Sequence, residues 1–395
     1  MKINLDKSKK IAFICSPRLG DTLISMVVVN NLVHNGYLVD VFSDYLYDLR
    51  DWFSLVKIKP AIALNNQQDL VNYSVVLHMY ESELSKALDD WHKNSFVLAH
   101  SPLYKSPMSL VDIQVLVCRD VLDLQNAVRV NGMQPLSELV FCKHKQRIVI
   151  HPTSSQKFRS WSAKKFVQLA KKLEDLGFEP KFIVAQNEKE EWQKLVKEAW
   201  LPEFKSLSAT AAFIYESAFF VGNDSGIGHL ASNLGVPTLT LVLRKNLARQ
   251  WRPNWSCGEI VLPPCWLITR PLKEKFWKYC ISVKMVLRKF NLLQQHCAVA
   301  DKTICGKIND KSFICYAKYF TAAMQDFLKA PDFYIDNSQG PFFKSVVGDT
   351  TTVVVVNIGG KEFVVKRYNI KGAGHFLRKC WRRSNAMISW NNVQY

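Results

Sequence analysis

Apolar and polar positions along this chain follow two alternating periods. Short apolar runs of four or five residues, closed by polar or glycine-bearing loops, read as buried strands. Stretches with apolar residues every three or four positions follow them and read as amphipathic helices. Ile11–Cys15 is the first strand, Ser16-Pro17-Arg18-Leu19-Gly20 a loop, Asp21–Leu32 a helix with Gly36 past its end, and Leu38–Phe42 the returning strand. Further apolar runs lie at Val75–Leu77 and Phe96–Leu98. The order restarts at Arg147–Ile150, continues through the polar loop His151–Ser155 and the helix Ala163–Leu176, and returns as the strand Phe182–Ala185. A charged helix, Glu188–Ala199, and a short one, Ala209–Glu216, come next. The run Phe219–Val221 then breaks at Gly222-Asn223-Asp224-Ser225-Gly226 into a helix from about Gly228, which Gly235 closes before Thr238–Leu243. Strand, helix, strand in this order predicts parallel sheets with right-handed crossovers. Two Rossmann-like α/β halves, 1–145 and 146–293, are expected to bind ligands at the carboxyl ends of their strands.

The rest of the chain has a different pattern. Arg270–Leu293 reads as one or two helices, and 294–340 as a connector with short helices such as Tyr316–Leu328. Thr350–Val356 is a β-branched strand, Gly359-Gly360 suits a two-residue hairpin turn, and Lys361–Arg367 pairs back before a basic, helical end. The segment 341–395 is thus expected to form a small α+β extension.

Composition narrows the class. The 395 residues are 48% hydrophobic and 22% charged, which suits globular domains rather than a disordered chain. No apolar run is long enough to span a membrane, and the start lacks the apolar core of a secretory signal. Ten cysteines lie scattered without a CxxC pair or metal-like spacing, so they read as reduced thiols of a cytoplasmic protein. Fifty-two Lys and Arg against 34 Asp and Glu give a net charge of +18. Much of the excess is local, in Arg270–Lys289 and Lys361–Arg383. Trp266, Phe276, Trp277, Tyr279 and Phe290 accompany the first cluster, a mixture suited to an anionic membrane surface. No nucleic-acid-binding signature accompanies either cluster, and nucleic acid is not expected as a partner.

The candidate chemistry lies in three loops. Asn223–Gly226 ends a strand and opens a helix whose first N–H groups suit a bound anion, although Asp224 or Ser225 would also serve as an ordinary cap. No paired-carboxylate motif follows a strand; Asp89-Asp90 falls in a charged, helix-like stretch, and no essential metal is expected. There is no Walker loop and no GxGxxG, which disfavours dinucleotide chemistry.

Taken in order, Pro17–Asp21, His151–Trp161 (HPTSSQKFRSW) and Phe219–Pro237 (FFVGNDSGIGHLASNLGVP) resemble glycosyltransferase family 9, the ADP-heptose:lipopolysaccharide heptosyltransferases, over roughly 10–293. The resemblance implies a GT-B fold, with two Rossmann-like domains facing a cleft. It also implies an inverting transfer from an ADP-sugar, which is a substrate, with no separate cofactor. The acceptor would be a lipid-linked saccharide at the cytoplasmic face of the inner membrane. Asp21 matches the family's first-loop aspartate and would be the base, though an Asp at a helix start is also a good N-cap; Arg18 would hold acidic acceptor groups. Ser154, Ser155 and either Lys157 or Arg159 would bind the diphosphate, as would backbone groups of Ser225, Gly226 and Ile227 with His229 as a further donor, while Asn223, Asp224 and Ser225 would bond sugar or ribose hydroxyls. Where the family commonly has Phe-Gly, Leu243-Arg244-Lys245 stands instead, and Trp251 and Pro253 restore the match. The tail, VVGDTTTVVVVNIGGKEFVVKRYN, is similar to the first strands of lipopolysaccharide kinases, with Lys366 at the position of the ATP-contacting lysine. Two other readings stay open: a non-catalytic scaffold of lipopolysaccharide assembly, and part of a split kinase.

Overall fold

A computed structural model of the chain describes residues 2–62, 68–89, 92–243, 248, 250, 255–264, 276–300, 303–308, 311–316, 321–337, 342–344, 351–358 and 361–368. It divides into two units, 1–297 and 298–395.

The first unit holds two five-stranded sheets. The first comprises β1 (Lys10–Ile14), β2 (Leu38–Phe42), β3 (Lys57–Lys59), β4 (Val75–His78) and β5 (Ser95–Val97), in the order β3-β2-β1-β4-β5 with every pair parallel. The second comprises β6 (His144–His151), β7 (Glu179–Phe182), β8 (Ser217–Asn223), β9 (Thr238–Leu241) and β10 (Gly258–Val261), also parallel, in the order β10-β9-β8-β6-β7. The halves differ in winding. Chain order reverses between β1 and β4 in the first sheet and between β6 and β8 in the second. Those reversal points open the crevices in which such sheets bind ligands.

Helix α1 (Leu19–His34) is apolar on all sides, and every residue from Leu19 to Leu32 is buried. Such a helix belongs inside a core, and one apolar cluster does join residues of both halves, among them Leu23, Val27, Val149, Phe220 and Leu230. Each such side chain contributes about 1.5–3 kcal/mol on burial. Buried amides tie the helix to the segment linking the two sheets: Asn31 Nδ2 donates to the Val128 carbonyl at 2.8 Å, and Asn131 Nδ2 to that of Leu23 at 3.0 Å. Around the sheets lie α2 (Glu83–Asp89), α3 (Leu110–Leu116), α4 (Ala163–Asp175), α5 (Leu207–Tyr215), α6 (Gly226–Asn233) and α7 (Val283–Ala300).

Three expectations change. The helix over 188–199 breaks into Lys189–Gln193 and a turn at Glu198–Trp200, because Trp192 and Trp200 both stack on Phe182 at 5.3 and 6.1 Å. The strand expected at Phe182–Ala185 lies earlier, at Glu179–Phe182. The connector is more ordered than its pattern implies. Its strands β11 (Thr303–Ile308) and β12 (Lys311–Tyr316) pair antiparallel, and Tyr316 ends a strand rather than opening a helix. Asp89 ends α2, while Asp90 lies outside the described residues.

In the second unit, α8 (Ala322–Lys329) and α9 (Pro331–Asp336) pack Met324, Phe327 and Ile335 on Val354, Val356 and Ile358. Those valines belong to an antiparallel sheet of β13 (Phe342–Lys344), β14 (Thr351–Ile358) and β15 (Lys361–Tyr368). Ile358 pairs with Lys361, the register a two-residue turn requires. Gly359-Gly360, the basic end after Tyr368 and the Lys366 side chain lie outside the described residues.

Candidate functional site

Two helix starts meet in the first unit. Leu19 and Gly20 open α1, and Gly226 opens α6. A Cβ on Gly226 would stand 2.9 Å from Leu19 Cβ and 3.1 Å from the Gly20 nitrogen; one on Gly20 would stand 2.9 Å from His229 Cδ2. Only glycine permits this approach at both places. The first N–H groups of each helix have no intrahelical partner, and each N-terminus carries a partial positive charge. Two positive ends therefore converge where the loops after β1 and β8 face each other.

Two aspartates belong to this junction. Asp21 is the third residue of α1 and not its cap: Arg18 occupies the cap position, without a side-chain bond. Asp21 is 8% exposed, and the Ser16 hydroxyl donates to its Oδ2 at 3.3 Å. Burial raises its pKa, while Ser16 and Arg18 pull it down. Asp224 precedes the α6 cap. Burial pushes its carboxyl up to about 6, opposed by Arg159 and assisted by the charge of Asp21.

The remaining expected residues divide sharply. Ser225 is the cap of α6, accepting from Gly228 N at 3.3 Å, which leaves the N–H groups of Gly226 and Ile227 open to an anion. Arg159 comes to the junction, with its Nε enclosed and unpartnered; the Lys157 side chain lies outside the described residues. Ser154 is half-buried and Ser155 exposed on the same loop. Arg18 is exposed at the head of α1.

Asn223 is a correction. It is fully buried, its Oδ1 accepts from Trp161 N at 2.9 Å, and its Nδ2 donates to the Pro152 carbonyl at 2.6 Å. Both ends brace one loop against the next, and the fully buried side chain faces no space for a sugar. Trp161 is packing, as expected, and its indole N–H donates to the Ile281 carbonyl at 3.2 Å. His229 is wedged between Gly20 and the Trp255 ring, and burial drops its pKa to about 4. It therefore adds no positive charge at neutral pH.

The pattern reading missed a cavity of about 310 Å³ at the carboxyl ends of β6 and β7, lined by His151, Ile183, Ala185, Gln186, Thr210 and Ile227. Ile227 also belongs to the first turn of α6, so the cavity adjoins the open N–H groups. Lys189 and Glu203, both lining residues, form an ion pair in its wall. His151 Nδ1 lies 2.7 Å from the Ile183 carbonyl, which makes Nδ1 the protonated nitrogen, and burial keeps the ring neutral. Its place at the end of β6 was the available signal. Among the described residues, no cluster of three or more His, Cys, Asp or Glu is arranged to hold a metal ion, and no helix is long and apolar enough to cross a membrane.

Residues 100–251 match the sequence model of glycosyltransferase family 9 (heptosyltransferase). Several solved structures share the fold. A family 9 glycosyltransferase from Veillonella parvula DSM 2008 is 15% identical, with a TM-score of 0.59 over 75% of this chain and 100% of its own. The ADP-heptose lipopolysaccharide heptosyltransferase II of E. coli is 16% identical, with a TM-score of 0.57 over 73% and 99%. The E. coli heptosyltransferase WaaC, solved with ADP, is 15% identical, with a TM-score of 0.56 over 72% and 99%. No curated protein sequence matches the chain. Residues 100–251 thus resemble family 9 glycosyltransferases, and the two sheets share the GT-B fold of the solved heptosyltransferases. The match does not reach the tail, whose likeness to a kinase rests on sequence alone.

Proposed function

We propose that this glycosyltransferase moves a heptose-like sugar, with inversion, from an ADP-sugar to a lipopolysaccharide core acceptor. The observation that carries the reading is the convergence of the α1 and α6 starts, with Asp21 on one side and open N–H groups on the other. The diphosphate sits on Gly226 and Ile227 N–H with Arg159 beside it, and the nucleoside occupies the adjoining cavity. An acceptor hydroxyl attacks the anomeric carbon from the opposite face. The bond from that carbon to the diphosphate oxygen breaks with its electron pair going to ADP, and the hydroxyl proton passes to Asp21. Burial raises the proton affinity of Asp21, which suits it to that task. The developing charge on ADP meets a helix N-terminus and a guanidinium, so the step asks for no metal. WaaC structures with ADP and with ADP-2-deoxy-2-fluoro heptose support an adenine nucleotide as the donor's leaving group.

The lipid-linked acceptor places the reaction at the cytoplasmic face of the inner membrane. The exposed rings of Phe276 and Tyr279, beside Lys278, form a face suited to anionic lipid. Titration with ADP, UDP and GDP, followed by transfer from ADP-heptose to a core acceptor, tests the reading. ADP preference with turnover is expected. Equal binding of all three would remove the ADP-sugar assignment, and binding without turnover would favour a scaffold. Co-sedimentation with phosphatidylglycerol vesicles, reversed by salt, checks the membrane face; no binding at low salt would exclude it.

A further inference from the structure

Each reversal point of a doubly wound sheet is bordered by two loops. Three of the four in this unit carry the site already described: those after β1, β6 and β8. The fourth follows β4. Met79 N donates to the Ile14 carbonyl at 3.2 Å, which sets Tyr80 beside the loop that carries Ser16 and leads to Asp21. The Tyr80 ring is half-buried, and its hydroxyl oxygen is enclosed with no hydrogen-bond partner. The ring is held edge-on by Tyr104 at 6.3 Å, and the Tyr104 hydroxyl accepts from Gln114 Nε2 at 3.0 Å. Glu81, the next residue, anchors the loop to Lys86 at 2.9 Å and faces His100 at 3.5 Å. Tyr80 is thus a rigidly mounted phenol whose only unmet group is its hydroxyl. Asp21 and Arg18 are its charged neighbours, and burial together with Asp21 keeps it protonated.

Enclosing a hydroxyl without a partner costs free energy, and phenylalanine would fill the same space without that cost. The cost is explained if a ligand supplies the partner. We infer that the Tyr80 hydroxyl binds the acceptor saccharide, donating a hydrogen bond to a sugar oxygen next to the hydroxyl that Asp21 deprotonates. Asp21 itself is only 8% exposed, so it and the Tyr80 hydroxyl are alike enclosed before an acceptor binds. This inference rests on the transferase reading for the identity of the ligand.

The test is Tyr80→Phe in the full chain, compared with wild type. Probes are de-O-acylated lipopolysaccharide core as acceptor and ADP as donor product. The expected result is a rise of about tenfold in acceptor KM and in directly titrated acceptor Kd. ADP affinity and kcat at saturating acceptor should stay within about twofold, with an equal or higher melting temperature. An unchanged acceptor Kd overturns the inference, since the hydroxyl would then serve only a buried water. If wild type binds acceptor without turnover and Tyr80→Phe loses that binding, the transferase reading fails while the inference stands. If wild type binds no acceptor, both fall.

Discussion

The start of α1 and the start of α6 are built alike and used differently. Each follows a parallel strand at a reversal point, each has a glycine where the other helix presses against it, and each has an aspartate within three residues of that glycine. At α6 the cap is a neutral Ser225, and Asp224 stands outside the helix. The positive end of α6 is thus left to a ligand. At α1 no side chain caps the helix, and Asp21 sits inside the first turn, held by Ser16. There the helix's own carboxylate meets the positive end, so this start presents a base rather than an anion site. The position of one carboxylate relative to the cap separates an anion hole from a proton acceptor.

The largest expected effect comes from removing that distinction at α1. Asp21→Asn should lower turnover by a factor of roughly 10²–10⁴, the range for a general base, while ADP affinity changes little. A transfer assay beside a titration separates the two, and wild-type turnover would end the assignment.

Gly226→Ala attacks the contact itself. Its Cβ would meet Leu19 and the Gly20 backbone, so the helix starts must shift, at a cost of about 1–3 kcal/mol in stability together with weaker ADP binding. Gly20→Ala should cost a similar amount, because the His229 ring it meets is itself wedged against Trp255 and the Gly226 backbone lies just behind it. Thermal melting of both variants checks this.

The third effect depends on pH. Asp224 holds its proton up to about 6 in the folded chain, against 3.8 as the ordinary value. Between those values the folded state binds more protons than the unfolded one, so this group's contribution to stability falls as pH rises, and the full penalty stands above 6. Asp224→Asn should therefore raise the melting temperature at pH 7.5 relative to pH 5, compared with wild type. Buried His229 and His78, both lowered to about 4, act in the opposite direction between 6.5 and 4. The comparison of variant with wild type removes them. ADP binding should likewise weaken through pH 6 in wild type more than in the variant.

The smallest pair addresses the caps. Ser225→Ala should lose about 1 kcal/mol of stability, whereas Arg18→Ala, which removes no cap bond, should lose almost none. Equal losses in denaturant titrations would blur the distinction between the two starts.

Much of the site was legible because its signals are local. Glycine and polar residues after a short apolar run mark a loop, and three such loops gave Asp21, Arg159, Asp224 and Ser225. Tyr80 was not legible, since VVLHMY carries no turn signal and its meaning depends on which strand lies beside β1. Asn223 misled for a related reason. A polar side chain in a candidate ligand loop looks free until the neighbouring loop is seen to take both of its ends. The helix expected over 188–199 failed because Trp192 and Trp200, although at helical spacing, are both drawn onto Phe182, which only the tertiary fold brings to them.

The sequence by itself determined the elements: strand and helix periods, caps and glycine stops act within a few residues and need no tertiary partner. It also determined that Asp224 and Asp21 each stand at a helix start. Only the tertiary structure decided that those starts touch, because Gly20 and Gly226 come together through a core that joins two sheets of different winding. The burial that raises both carboxylates, the cavity beside α6 and the unpartnered Tyr80 hydroxyl all follow from that packing. None is a property of the local chain.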